Sequence, residues 1–132
     1  LEYNRNTKIG GMSITELIKP HKSYLEEYNL LKEKNIKITG LCHITGGGYV
    51  GNLERVLPEH LGVELDIRIL EPFATIQRIG NLSDEEMYRV FNCGYGMLFF
   101  TSHNKDEVLR NTYSSYLGKV VLKEGNEQVK HI

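Results

Sequence analysis

Three consecutive glycines, Gly46-Gly47-Gly48, constrain this chain more than any other feature. They follow the apolar run Leu41-Cys42-His43-Ile44 and precede an amphipathic stretch, so the pattern predicts a strand, a tight turn and the start of a helix. Glycine gives up more backbone freedom on folding than any other residue, so three in a row mark a place where side chains would obstruct. Either the turn needs positive φ angles, or a ligand approaches the backbone closely. A helix opened by such a turn has amide N–H groups without intrahelical partners, and its dipole adds partial positive charge. Together these favour phosphate. His43 and Thr45 flank the turn with an imidazole and a hydroxyl. Taken alone, the triplet fits a plain strand-to-helix corner as well as a ligand site.

At 132 residues the chain is one domain, long enough to bury a core. Its 16 Lys and Arg balance 17 Asp and Glu without a basic patch, which argues against nucleic acid as a partner. No apolar run approaches the roughly 20 residues of a membrane span, and no signal-peptide pattern opens the chain, so a soluble cytoplasmic protein is expected. The two cysteines, Cys42 and Cys93, invite a disulfide or a nucleophile, but a cytosolic setting favours plain packing. The five histidines show no metal-ligand spacing, and no metal site is expected.

Along the chain, residues 1–12 read as an extended or mobile leader. Ser13 with Glu16 forms a capping box ahead of a short helix that ends before Pro20. Tyr24, Leu25, Tyr28 and Leu31 recur at helical spacing over residues 23–34. Ile36, Ile38, Leu41 and Cys42 make the strand that feeds the glycines; Val50, Leu53, Val56 and Leu57 are the expected buried face of the helix after them, which Pro58 stops. Residues 63–69 alternate as a half-buried strand. Pro72 suits the first turn of a helix that Gly80-Asn81 ends. A second capping box, Ser83 with Glu86, starts a short helix, and a strongly apolar strand follows residues 94–96. A helix from Asn104 and a final pair of strands around Gly125-Asn126 complete an α+β chain with a mixed sheet covered by helices.

Two stretches carry a resemblance. His43-Ile44-Thr45-Gly46-Gly47-Gly48 with Asn52 and Arg55-Val56-Leu57-Pro58 is the first, and Glu86-Met87-Tyr88-Arg89-Val90-Phe91-Asn92-Cys93-Gly94-Tyr95-Gly96-Met97 the second. In this order and spacing they resemble the C-terminal domain of aminoimidazole ribonucleotide synthetase, also called phosphoribosylformylglycinamidine cyclo-ligase, from about Gly11 to the end. Tyr95 is a departure, standing where other members often carry a smaller residue. The resemblance implies α/β/α layers with helices on both faces of the sheet and partial ferredoxin-like topology. It makes residues 1–12 a linker remnant and 13–132 the domain, with the N-terminal ATP-binding domain absent.

The family uses ATP to close formylglycinamidine ribonucleotide into aminoimidazole ribonucleotide in purine biosynthesis. The resemblance implies that ATP and Mg2+ are held mainly by the other domain, that a ribonucleotide is the substrate, that the full-length protein is a homodimer, and that this chain alone is inactive. No P-loop or kinase-type glycine loop is present here. Thr45, Gly46, Gly47 and Gly48 are the candidate substrate or phosphate wall, with Asn92, Gly94 and Gly96 beside them. His43 is the candidate acid or base, because imidazole titrates near neutral pH. A histidine that merely shapes the turn, an Asn92 that satisfies turn backbone and a solvated Arg55 are the competing readings. The competing function is a stand-alone phosphate- or nucleotide-binding module with a regulatory or scaffolding role.

Overall fold

The computed structural model describes residue 4 and residues 6–132. Its first element lies inside the stretch expected to be a mobile leader. Strands β1 (Lys8–Ile9) and β2 (Met12–Ser13) pair antiparallel around Gly10-Gly11. Both glycines have positive φ, 56° and 82°, the conformation a two-residue hairpin turn demands. The hairpin is docked on the domain: a Cβ at Gly10 would fall 2.7 Å from the Cα of Pro72.

Ser13 caps α1 (Ile14–Leu17) with the reciprocal Glu16 bonds of a capping box. Helix α2 (Leu25–Glu33) follows and buries Leu31. Strand β3 (Ile38–His43) leads into the glycines, and α3 (Gly48–Leu53) leaves them. Next come β4 (Leu61–Leu65), α4 (Phe73–Gly80), α5 (Asp84–Val90), β5 (Met97–Thr101), α6 (Lys105–Asn111), β6 (Gly118–Leu122) and β7 (Val129–His131). Local chemistry explains several of these ends. Pro72 stands at the N-cap of α4 and Asn81 closes it in the left-handed conformation. The Ser83 hydroxyl accepts from the Glu86 amide at the start of α5, and Asn104 accepts from the Asp106 amide at the start of α6.

The architecture is α+β, with helices against small sheets rather than one continuous sheet. β3 pairs antiparallel with β5, and β4 is the centre of a three-stranded mixed sheet, antiparallel to β6 and parallel to β7. The last two strands therefore do not pair with each other around Gly125-Asn126; they lie on opposite edges of β4. The core between these layers is formed by Cys42, Ile44, Tyr49, Leu53, Val63, Leu65, Ile67, Met87, Cys93, Leu98 and Val129.

The buried face of α3 departs from the expected one. Tyr49 and Leu53 are wholly buried, whereas Val50 and Val56 are 39 and 45% exposed. Contact with α5 sets the helix phase: a Cβ on Gly48 would lie 2.5 Å from the Arg89 carbonyl carbon and overlap the Tyr88 carbonyl oxygen. With Gly48 pinned there, Tyr49, Asn52 and Leu53 turn inward, Val50 turns out, and the helix ends before Val56.

Candidate functional site

The three glycines serve three different purposes. Gly48 lets α3 and α5 meet backbone to backbone. Gly47, the N-cap of α3, is left-handed at φ 98°, a conformation costly to residues with a Cβ. Gly46 has neither reason, because its φ is not left-handed and a Cβ there would meet nothing within 4 Å. Of the three, Gly46 alone has its absent side chain left unexplained by the fold.

Asn52 holds the turn from beneath. Its amide nitrogen donates to the carbonyls of Thr45 at 3.2 Å, Gly46 at 3.5 Å and Gly48 at 2.7 Å, and its carbonyl accepts from the Thr45 hydroxyl at 3.2 Å. Asn52 is buried, so these bonds replace water that the carbonyls would otherwise lack. Among the described residues, the amides of Gly46 and Gly47 make no hydrogen bond. The carbonyls are thus engaged from within while these donors remain available, the arrangement an anion requires. Asn52 belonged to the sequence motif, but its clamp across the turn becomes visible only in three dimensions.

His43 and Thr45 are exposed while Cys42 and Ile44 between and before them are buried, which puts the imidazole and the turn on one outer face. The His43 ring packs edge-to-face on His21 with centroids 4.9 Å apart, and lies 6.3 Å from the ring of Tyr24. Neither His21 nor Tyr24 was singled out as a site residue by sequence patterning, because they precede a helix remote from both motifs in the chain.

The second motif adjoins the first. The Ile44 amide donates to the Gly96 carbonyl at 2.9 Å, and the Tyr49 hydroxyl donates to the Asn92 carbonyl at 2.6 Å. The Asn92 side chain accepts from the Gly94 amide at 3.0 Å, which is backbone satisfaction within its own turn. Gly94 is left-handed at φ 106° and faces Leu70, while Gly96 lies under the Tyr24 ring, whose Cζ would stand 2.9 Å from a Cβ. The structure thus brings His43, Thr45, Gly46 and Gly47 onto one surface, with Asn92 and Gly96 supporting it from behind, whereas Gly48, expected to line the same wall, is buried against the backbone of α5. Arg55 is exposed beyond the end of α3.

Other reactive groups are placed for packing. Cys42 and Cys93 are buried and unpaired. Burial raises the thiol pKa of both, that of Cys93 to about 11, which keeps them protonated and unreactive. Burial also drives the Tyr49 phenol far above its ordinary range. No three His, Cys, Asp or Glu side chains stand together as a metal site among the described residues, so these residues do not fit a magnesium centre.

Residues 13–120 match the family model described as AIR synthase related protein, C-terminal domain. The chain is 35% identical to the phosphoribosylformylglycinamidine cyclo-ligase of Thermodesulfovibrio yellowstonii over 122 residues, 86% of this chain and 35% of that protein. It is 40% identical to the Bacillus cereus protein of the same name over 86 residues, covering 63% of this chain and 25% of the relative. The protein of that name from Ligilactobacillus salivarius is 31% identical over 134 residues, 94% of this chain and 39% of the relative. The chain therefore spans about a quarter to two-fifths of the length of these relatives. A match over most of its length makes this chain a member of the AIR synthase related protein, C-terminal domain family.

Proposed function

We propose that this chain serves as the C-terminal domain of a phosphoribosylformylglycinamidine cyclo-ligase, lining the substrate cleft opposite an ATP-binding domain and holding the phosphate of the ribonucleotide substrate. The observation that carries the site assignment is Gly46: an exposed turn glycine with no steric or φ requirement, beside unbonded amides. The shared name of the relatives supports the cyclo-ligase reading over a stand-alone binding module.

In this reading residues 1–12 link the two domains, ATP and Mg2+ are held by the other domain, and the whole protein is a cytoplasmic homodimer. Among the described residues of this chain no cluster of His, Cys, Asp or Glu side chains is placed to hold magnesium. What this chain contributes is binding and proton handling. The amides at Gly46 and Gly47 orient the phosphate, the Thr45 hydroxyl donates to Asn52 and so steadies the turn, and the exposed His43 imidazole exchanges a proton with the reacting amidine or formyl group. Asn92, Gly94 and Gly96 support the wall.

The test is kinetic, in a protein that carries both domains. Gly46→Val should raise KM about tenfold or more with the melting temperature unchanged, because the added side chain occupies the anion's place without straining the turn. His43→Ala should lower kcat by about 10²–10⁴-fold with KM little changed. Unaltered kinetics per folded molecule in both variants would make the turn architecture alone.

A further inference from the structure

The two small sheets each leave an edge unpaired, and the two edges border one cleft. Strand β5 is paired with β3 along one edge and with no strand along the other, and β6 is likewise paired with β4 alone. A cleft of about 760 Å3 is lined by both. All five residues of β5, Met97 to Thr101, line it, together with the unbroken run from Tyr113 to Val120 that enters β6. Successive side chains of a strand point to opposite faces, so a cavity lying over one face touches every second residue. A cavity touching all of them lies along the edge. The free edges of β5 and β6 therefore present to this cleft backbone donors and acceptors that no strand among the described residues takes up.

Volume, walls and charge say what fits. A residue in a sheet takes up roughly 4.8 Å between strands, 3.3 Å along the strand and 10 Å between layers, about 160 Å3. At that size the cleft holds about five residues, the length of β5. Leu98 and Phe100 line it from one face of β5 and Met97 and Phe99 from the other, so an occupant meets apolar walls on both of its faces. The rim is basic, with Lys22, Lys105 and Lys119 against the one lining carboxylate, Glu27. Lys105 lies over the Tyr116 ring and makes no ion pair among the described residues. Glu27 Oε1 is taken by Lys22, but Oε2 is buried without a hydrogen-bond partner. A buried acceptor left unpaired is costly until a donor arrives, and this one lines the cleft.

We propose that the cleft between β5 and β6 is a strand-addition site, which takes an extended peptide segment of about five apolar residues flanked by Asp or Glu and joins the two sheets into one. The segment pairs its backbone with both free edges, an N–H group at its end donates to Glu27 Oε2, and its acidic flank meets Lys105. Main-chain bonds on two sides supply affinity, while the apolar walls and the basic rim select sequence. None of Gly46, Gly47 and Gly48 lines this cleft, so the proposal is independent of the phosphate reading.

The experiment titrates the full 132-residue chain with three capped peptides, followed by nitrogen–proton NMR. The first is Asp-Val-Val-Thr-Val-Val-Asp. The second, Asp-Val-Pro-Thr-Pro-Val-Asp, keeps the charge and the apolar character but lacks two N–H donors, and the third carries Lys in place of each Asp. The expected result is saturable shifts on the amides of Met97 to Thr101 and Gly118 to Val120 with the first peptide, about tenfold weaker binding of the proline peptide, and weaker binding of the lysine peptide. Lys105→Glu, an exposed change at the start of α6, should narrow the gap between the acidic and lysine peptides without moving the melting temperature. Equal binding of the proline peptide reduces the cleft to an apolar pocket and overturns strand addition. A gap between the acidic and lysine peptides that Lys105→Glu leaves unchanged overturns the part given to the rim. Failure of every peptide to bind overturns the proposal outright, as do shifts on the same amides that grow with the concentration of the chain alone, which assign the edges to a second copy.

Discussion

Single residues in this domain answer different physical demands even when they are identical and adjacent. Gly48 and Gly51 belong to the same short helix, yet Gly48 touches the backbone of α5 and Gly51 has open space where a Cβ would go. Gly48→Ala should destabilise the fold by about 3 kcal/mol or more, since the obstructing atoms are backbone and φ is positive. Gly51→Ala should stabilise it by about 0.5–1 kcal/mol through the unfolded chain and helix propensity. Denaturant titration of the two variants checks the pair, and equal effects would contradict the packing described for α3. The cysteines make a second residue-scale case. Because both thiols are buried and their pKa values raised, a thiol reagent at neutral pH should label neither in the native protein and both once it is unfolded. Mass spectrometry reads the outcome, and rapid native labelling of either cysteine would contradict it.

Between elements, the tie to the last strand depends on protonation. His131 of β7 stacks on Tyr88 of α5 with ring centroids 4.1 Å apart and planes 12° from parallel, and meets Tyr49 of α3 edge-on at 5.9 Å. One face of the imidazole is therefore covered while the rest reaches solvent, and burial holds its pKa below the ordinary 6.5. The folded state binds this proton less readily than the unfolded chain does. Stability from His131 is thus complete above about pH 6.5 and declines as pH falls from there through the depressed folded value. The tyrosines it faces stay neutral throughout, their phenols being raised by burial. His131→Phe should keep the stack and flatten that part of the stability–pH curve; identical curves for the two proteins would remove His131 from the account.

Elements whose ends are set by local chemistry were legible in the sequence: α4 between Pro72 and Asn81, α5 from Ser83, and β5 after residues 94–96. What distant contacts decide was not. The Gly10-Gly11 hairpin looks like a leader until it docks beside Pro72, the phase of α3 is set by α5, and the parallel partnership of β7 with β4 joins residues more than sixty positions apart. The candidate site divides in the same way, for the glycine turn and the Asn52 clamp beneath it are local, while Tyr24 beside it arrives through the fold.

At the scale of the whole molecule, two small sheets and their helices bury one core, and the two glycine loops converge at its surface, joined by the Ile44–Gly96 and Tyr49–Asn92 hydrogen bonds. The central claim is that the amides of this turn hold a phosphate. Its most direct test is a series of nitrogen–proton NMR spectra of the chain during titration with ribose 5-phosphate. Saturable shifts should concentrate on the amides of Gly46, Gly47 and their neighbours in the turn, and should be lost in Gly46→Val while the rest of the spectrum stays in place. Shifts scattered over the surface, or an unchanged turn at saturating probe, would contradict it.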